Sequence, residues 1–412
     1  MISTPDGSLG DQSVICPALL LEDALNLQQA VRTKRSGLGK IEKSSVSGHE
    51  WSEVTQNPVY RILDASANRA AEGLRTMEEI ARFVLDDGDL TAEFKNQRHG
   101  LASALKRVSR RSLLRSRNTG EDVGTEISET LEYVRTDLAH VVAAAAARTQ
   151  QSFRVLEEYA KTLNPQMSAD LEQIRYRCYT ASADLELRVA KQAVSGRLET
   201  ANLYALVSSG SSHADFLAKV EQLLDGPVDI IQLRDRDADD RTLISRARAG
   251  TEIARRLGKL FIMNDRADLA MAADTDGVHV GQQELSVADA RKIVGDRMIG
   301  VSTHSIEQAR DAVTDGADYI GCGPVFSSKT KCFTEFVGTK FLVEVVNEIR
   351  IPAFAIGGID LSNVDQVVET GMRRIAVTGA LRDSEDPVRA AKQLKAALLG
   401  ADAVEDETKR SD

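Results

Sequence analysis

Between Ala201 and Leu381 the chain repeats one pattern eight times: a short apolar run, then a helical stretch, with polar residues gathered where each run ends. The runs are Leu203–Ser208, Asp229–Leu233, Lys259–Met263, Gly277–Val280, Met298–Val301, Ala317–Gly321, Ile351–Ile356 and Arg373–Val377. Helical spacing separates or follows them, as in Arg241–Leu257 and Pro387–Leu399. Alternation of this kind specifies parallel strands covered by helices, and eight units close into a (β/α)8, or TIM, barrel. Such a barrel carries its chemistry at the C-terminal ends of its strands. Here those ends hold Gln232 to Arg236, Asn264 and Asp265, Gln282 to Glu284, Ser302 to His304, Ser327 to Lys331, Gly357–Gly358 and Thr378–Gly379.

The 412 residues allow a second domain beside a barrel of this length. From Tyr60 to Ala190 strand signals almost vanish. Leu74, Met77, Ile80, Ala81 and Val84 follow helical spacing, as do Phe153, Leu156, Tyr159 and Ala160. Proline is absent from 59 to 164, so long helices are permitted. The organisation expected is a mobile leader over 1–56 with one short helix at Leu20–Val31, an all-α domain of four to six helices over 57–195, an α/β barrel over 200–400, and a frayed tail over 401–412.

The helical region echoes itself. Arg69 to Arg82 aligns with Arg148 to Lys161 at an offset of 79 residues, matching Arg75 with Arg154 and Glu78 with Glu157. A weaker match pairs Phe94–Arg98 with Leu171–Arg175. Two related halves about a pseudo-two-fold axis are expected. Between them, Asn118–Thr125 is rich in turn formers and acids, including Asp122. It reads either as a connector or as a ligand loop facing Arg69, Arg75, Arg148 and Arg154, unless those arginines pair with Glu72, Glu78 or Glu158.

A net charge of −10 argues against nonspecific nucleic-acid binding. No apolar run approaches the ~20 residues of a membrane span, and no signal peptide is evident. The four cysteines, Cys16, Cys178, Cys322 and Cys332, lack metal-ligand spacing and suit a reducing compartment, with the cytoplasm as the expected location. The partners expected are small-molecule substrates; a homo-oligomer is compatible with the chain.

Strand alternation points Gln232, Arg234 and Arg236 the same way. Two guanidiniums beside an amide make a fork for phosphate oxygens, or else a salt-bridge cluster with Asp235, Asp237 and Asp239. Asp265 and Glu284, on adjacent strand ends beside that fork, suit Mg2+, although Asp265 could equally cap a helix and Glu284 could be solvated. Ser327 to Lys331 reads as an anion clamp, and the glycines after strands seven and eight as a phosphate site. His279 reads as a packed or hydrogen-bonded core residue, and His304 as a possible ligand contact.

The motifs Gln232-Leu-Arg-Asp-Arg236, Asn264-Asp265, Gly277-Val-His-Val-Gly-Gln282, Gly300-Val-Ser-Thr-His304, Gly323-Pro-Val-Phe326 and Ala355-Ile-Gly-Gly-Ile359 resemble thiamine-phosphate synthase, in that family's order, over residues 203–381. The resemblance implies condensation of hydroxymethylpyrimidine diphosphate with hydroxyethylthiazole phosphate, or its carboxylated form, with release of pyrophosphate. It implies that Gln232, Leu233, Arg234, Asp235, Arg236 and Asn264 hold the pyrimidine diphosphate, and that Asp265 and Glu284 hold Mg2+. Ser302 and Lys331 would contact the pyrimidine or its diphosphate. Ser328, Lys329, Thr330, Gly357, Gly358, Val377 and Thr378 would hold the thiazole phosphate. Arg234, Lys331 and Ser302 would carry catalysis. The family usually has lysine in place of Arg236, aspartate in place of Glu284 and threonine in place of Ser328. Tyr60 through Tyr179 resembles a domain fused to or encoded with such synthases and proposed to phosphorylate hydroxymethylpyrimidine phosphate. Rival readings are a noncatalytic phosphate sensor and another phosphate-binding barrel enzyme.

Overall fold

The computed structural model describes residues 53–120, 134–327 and 336–400. The expected leader with its helix at Leu20–Val31, the tail, most of the Asn118–Thr125 loop, and Ser328 to Lys331 lie outside the described residues.

Among the described residues five helices come first: α1 (Glu53–Phe83), α2 (Gly88–Leu105), α3 (Arg110–Ser116), α4 (Leu138–Ala160) and α5 (Pro165–Thr200). Side-chain caps start four of them. Asp87, Ser109, Asp137 and Asn164 accept the backbone N–H three residues on, satisfying a donor that a helix start leaves open. Pro165 opens α5, where its missing N–H costs nothing. Leu74, Met77, Phe153 and Leu156 are fully buried, as their spacing requires. Tyr159, expected on that face, is 38% exposed. It falls at the edge of the apolar stripe, a place that suits a side chain with an apolar body and a polar tip.

Residues matched by the sequence echo carry matching ion pairs. Buried Glu78 accepts from Arg75 (3.3 Å) and Arg98 (3.0 Å). Buried Glu157 accepts from Arg154 (2.6 Å) and Arg175 (2.8 Å). Helices α1 and α4 touch at Gly73, where a Cβ would lie 2.0 Å from Thr149 Oγ1.

Eight parallel strands then close in sequence order. They are β1 (Leu203–Val207), β2 (Ile230–Leu233), β3 (Leu260–Asn264), β4 (Gly277–Val280), β5 (Met298–Thr303), β6 (Tyr319–Cys322), β7 (Ala353–Ile356) and β8 (Ile375–Val377). The helices between and after them are α6 (His213–Leu224), α7 (Asp240–Arg256), α8 (Ala267–Ala273), α9 (Val287–Val294), α10 (Ile306–Thr314), α11 (Gly338–Glu348), α12 (Val364–Glu369), α13 (Gly379–Arg382) and α14 (Pro387–Leu399). Strand alternation splits the core in two. Ala205, Ile231, Phe261 and Val278 pack outward against the helices. Tyr204, Ile230, Ile262, Met298, Tyr319, Phe354 and Ala376 fill the interior.

Helix α5 reaches that interior. Leu198, 4% exposed, belongs to the same cluster, and Val194 packs against it. Arg197 donates to the Lys259 carbonyl (2.9 Å), and Arg374 to the carbonyls of Glu199 (2.7 Å) and Ala201 (3.1 Å). The end of the helical region therefore plugs the N-terminal end of the barrel. An aspartate stands just before each of β2, β4 and β6. Asp229, Asp276 and Asp318 accept the N–H of Leu203 (3.1 Å), Phe261 (2.8 Å) and Ile299 (2.8 Å), at the start of the preceding strand. Among the described residues no helix is long and apolar enough to cross a membrane.

Candidate active site

A cavity of about 910 Å³ opens at the C-terminal ends of the strands. Its floor is aromatic. Phe354 meets Tyr204 and Tyr319 edge-on, with ring centroids 5.4 and 5.9 Å away. Gly300 makes room for this floor, since a Cβ there would lie 2.1 Å from the Tyr319 ring and 2.5 Å from His279 Nδ1.

Gln232, Arg234 and Arg236 all line the cavity, as alternation along β2 requires. Burial, then neighbouring Arg236, pull the Arg234 pKa below its usual value, while Asp265 and Glu284 act in the opposite sense. Leu233 packs its side chain outward and is 1% exposed. The Asp235 carboxylate is turned to loop backbone, accepting the N–H groups of Ser209 in the loop after β1 (3.0 Å) and of Asp237 in its own loop (3.1 Å). Burial raises its pKa, but the Ser209 hydroxyl, which donates to the same carboxylate, together with these N–H groups outweighs burial and holds it low.

Asn264 lines the cavity, and Asp265 follows it in a left-handed conformation with φ +59°. That geometry is fixed by its N–H, which donates to the His279 carbonyl (2.8 Å). Burial and the charge of Glu284 push the Asp265 carboxyl up, against smaller downward effects of Asn264, Arg234 and Arg236. Exposed Glu284 lines the cavity and accepts the Gln283 N–H (3.3 Å). Two carboxylates and two guanidiniums thus share one electrostatic neighbourhood.

Ser302 lines the cavity at 3.0 Å from His279 Nε2, and Gln282 secures its carbonyl (2.6 Å). His279 is both hydrogen-bonded and part of the cavity wall; burial lowers its pKa to about 4, so the ring is neutral at physiological pH. His304 also lines the cavity, with Nδ1 donating to the Gly323 carbonyl. Across the mouth stand Gly357 (φ +104°) and Gly358 (φ +66°), conformations that side chains rarely adopt. Val377 lines the cavity while packing its side chain outward, and Thr378 and Gly379 adjoin it. Ser327 is the last described residue of the loop that leads to Ser328–Lys331.

Residues 203–381 match the family described as thiamine monophosphate synthase, and residues 61–184 match the ThiD2 family. A thiamine-phosphate synthase of Rhodopirellula baltica is 52% identical over 78% of this chain and 88% of its own length. The chain belongs to the thiamine-phosphate synthase family. Another such synthase, from Synechocystis, is 39% identical over 83% of this chain and 97% of its own length. The solved thiamine phosphate pyrophosphorylase of Pyrococcus furiosus is 30% identical, covers 50% of this chain and 98% of its own, and has a TM-score of 0.45. The Rhodopirellula and Synechocystis synthases match far more of this chain than the barrel, so the helical region is part of what they share with it.

Tyr204, Tyr319 and Phe354 escaped the sequence reading, as did Asp360, Asp383 and Ser384 at the rim. A usable signal existed for the tyrosines. Each has the inward parity set by Gln232 and carries a hydroxyl into a run that is otherwise apolar.

Proposed function

We propose that this cavity joins the methylene carbon of an aminopyrimidine diphosphate to the ring nitrogen of a hydroxyethylthiazole phosphate, or its carboxylated form. One arrangement carries the reading. Half-buried Arg234 and exposed Arg236 share a neighbourhood with Asp265 and Glu284, and the glycine loops after β7 and β8 stand across the barrel. The first group suits a diphosphate and the second a monophosphate.

The pyrimidine diphosphate sits against Gln232, Arg234, Arg236 and Asn264, with Ser302 at the ring. Asp265 and Glu284 would hold Mg2+. Their chemistry fits it: both are hard oxygen donors, and the charge of Glu284 raises the cost of ionising Asp265, a strain that a divalent cation relieves. When bound, the ion lowers the charge of the diphosphate and makes it a better leaving group. As the carbon–oxygen bond breaks, its electron pair leaves with pyrophosphate. Arg234 and Arg236 stabilise that growing charge, and by the family resemblance Lys331 joins them. Positive charge spreads into the aminopyrimidine ring, where the neutral His279 adds no repulsion. The thiazole nitrogen then donates its lone pair to the methylene carbon. Backbone groups of Gly357, Gly358, Val377 and Thr378 hold the thiazole phosphate, and by resemblance Ser328, Lys329 and Thr330 contribute.

The test is pyrophosphate release by the full chain. It is expected only with both substrates and a divalent cation. Release without the thiazole phosphate would reject the condensation, and undiminished release after chelation would reject the metal assignment. Lys331→Ala should lower turnover by orders of magnitude with only mild destabilisation.

A second reading concerns the helical region and is favoured by its ThiD2 match. It would phosphorylate the pyrimidine monophosphate and so supply the barrel. The full chain given ATP, pyrimidine monophosphate and thiazole phosphate should then form thiamine phosphate. Failure to do so, with the barrel active, would reject this reading.

A further inference from the structure

Five side chains in the cavity wall are joined end to end. Gln232 Nε2 donates to the Tyr204 hydroxyl (2.8 Å), and the Tyr204 and Tyr319 hydroxyls are 3.0 Å apart. The Tyr319 hydroxyl is 3.2 Å from His279 Nδ1, and His279 Nε2 is 3.0 Å from Ser302 Oγ. The run starts on β2 and passes through β1, β6 and β4 to end on β5. Both phenols are almost completely buried.

Valence gives this run a direction. A phenol has one proton, and a neutral imidazole has one N–H. The Gln232 amide donates to Tyr204, so the Tyr204 proton passes to the Tyr319 oxygen. The Tyr319 proton then goes to Nδ1 of His279. Nδ1 is therefore the bare ring nitrogen, and Nε2–H donates to Ser302 Oγ. The Ser302 proton finds no acceptor within the run.

We propose that Tyr204, Tyr319 and His279 are positioning residues that fix the Ser302 hydroxyl as a donor into the cavity, selecting a ring with an amine beside an unprotonated nitrogen over one with a carbonyl beside an N–H. The proposal rests on the aminopyrimidine reading above and deepens it. An aminopyrimidine offers Ser302 an acceptor nitrogen. The 4-oxo analogue, in which a carbonyl replaces the amine, offers an N–H there instead. Ser302 can accept it on its second lone pair only by leaving its own proton without that partner, unless Gln232 turns its amide over and the two phenols, the imidazole tautomer and the serine reverse together. Cutting the run frees Ser302 from that demand.

Two measurements test this. The first is nitrogen-15 NMR of the histidines in the full chain without substrate, with the His279 signals assigned by their loss in His279→Asn. The Nε2–H tautomer is expected, and the Nδ1–H tautomer overturns the proposal. The second is kcat/KM for the 4-amino and 4-oxo pyrimidine diphosphates in wild type, Tyr319→Phe and Tyr204→Phe. Preference for the amine should fall about tenfold or more in each variant, the factor that one mismatched buried hydrogen bond commands. The KM for thiazole phosphate should not move. Equal losses with both pyrimidines, leaving the preference as in wild type, overturn the proposal and make the phenols merely structural. Each variant cuts the run, so either one decides the matter if the other fails to fold. A wild-type chain inactive with both pyrimidines overturns the functional reading and the selectivity with it; the tautomer result decides the direction of the run by itself.

Discussion

Leu198→Ala should destabilise the barrel, although Leu198 lies on the last helix of the helical region. The side chain is 4% exposed and clusters with Ile230, Leu260 and Met298 inside the barrel. Truncating such a leucine costs about 2–5 kcal/mol, because transfer energy is lost and a cavity remains. The neighbours here come from three different strands, each fixed by its ladder, so little collapse can fill the gap. A cost near the middle of that range, about 3 kcal/mol, corresponds to a fall of about 6–12 °C in Tm for a domain of this size. Leu187 provides the control. It lies on the same helix and is 68% exposed, so Leu187→Ala should change stability by no more than about 0.5 kcal/mol. The assay is pyrophosphate-forming activity remaining after graded heat pulses, followed in parallel by circular dichroism. A Leu198→Ala barrel that survives heat as well as wild type would refute the plug, as would two separate transitions with only the helical one shifted.

Asp229 accepts from Lys259 (2.9 Å), Lys395 (3.0 Å) and two backbone N–H groups, so Asp229→Ala should cost about 3–5 kcal/mol at pH 7 by urea titration. Burial pushes its carboxyl up, but the two lysines outweigh this and hold it below the ordinary range. A pKa depressed by folding stabilises above the unfolded value of about 3.9, and that contribution is lost as pH falls through the folded value. The gap between wild type and variant should therefore narrow in acid; a constant gap from pH 7 to 3 would contradict the ion-pair account. Gly300→Ala drives a methyl into the Tyr319 ring and His279, so it should cost about 1–3 kcal/mol in stability and lower kcat/KM; unchanged values for both would show that the floor yields. Arg234→Ala should cut kcat/KM for the pyrimidine diphosphate by about a hundredfold or more. Burial and Arg236 disfavour its charge in the folded chain, so calorimetry should find Tm unchanged or raised, and a marked fall would argue that Arg234 is structural.

The barrel was legible because each of its eight strands ends in residues of a different kind from those within it. Gln232, Arg234 and Arg236 could be placed on one wall from parity alone, since a strand has only two faces. Tyr204 and Tyr319 could not be brought together that way. They are 115 residues apart, and only closure of the ring puts their hydroxyls within 3.0 Å. Asp235 shows the opposite difficulty. It stands between two arginines in the sequence, yet its carboxylate serves the β1 loop through Ser209. The stretch from Lys191 to Thr200 gave no warning that it enters the barrel, because apolar Val194 and Leu198 are isolated among polar neighbours. Their burial depends on what lies beyond the helix end.

The aspartates before β2, β4 and β6 bind each even strand to the odd strand ahead of it. The working brick of this ring is thus a couple of strands with their helices, and three of four couples share the same clasp. The fourth couple, β7 and β8, has Arg374 where the acid would be, and it grips the carbonyls at the end of α5 instead of its own partner strand. The place where the fourfold rhythm breaks is the place where the rest of the polypeptide is attached, so the seam of the ring and its anchorage are one joint.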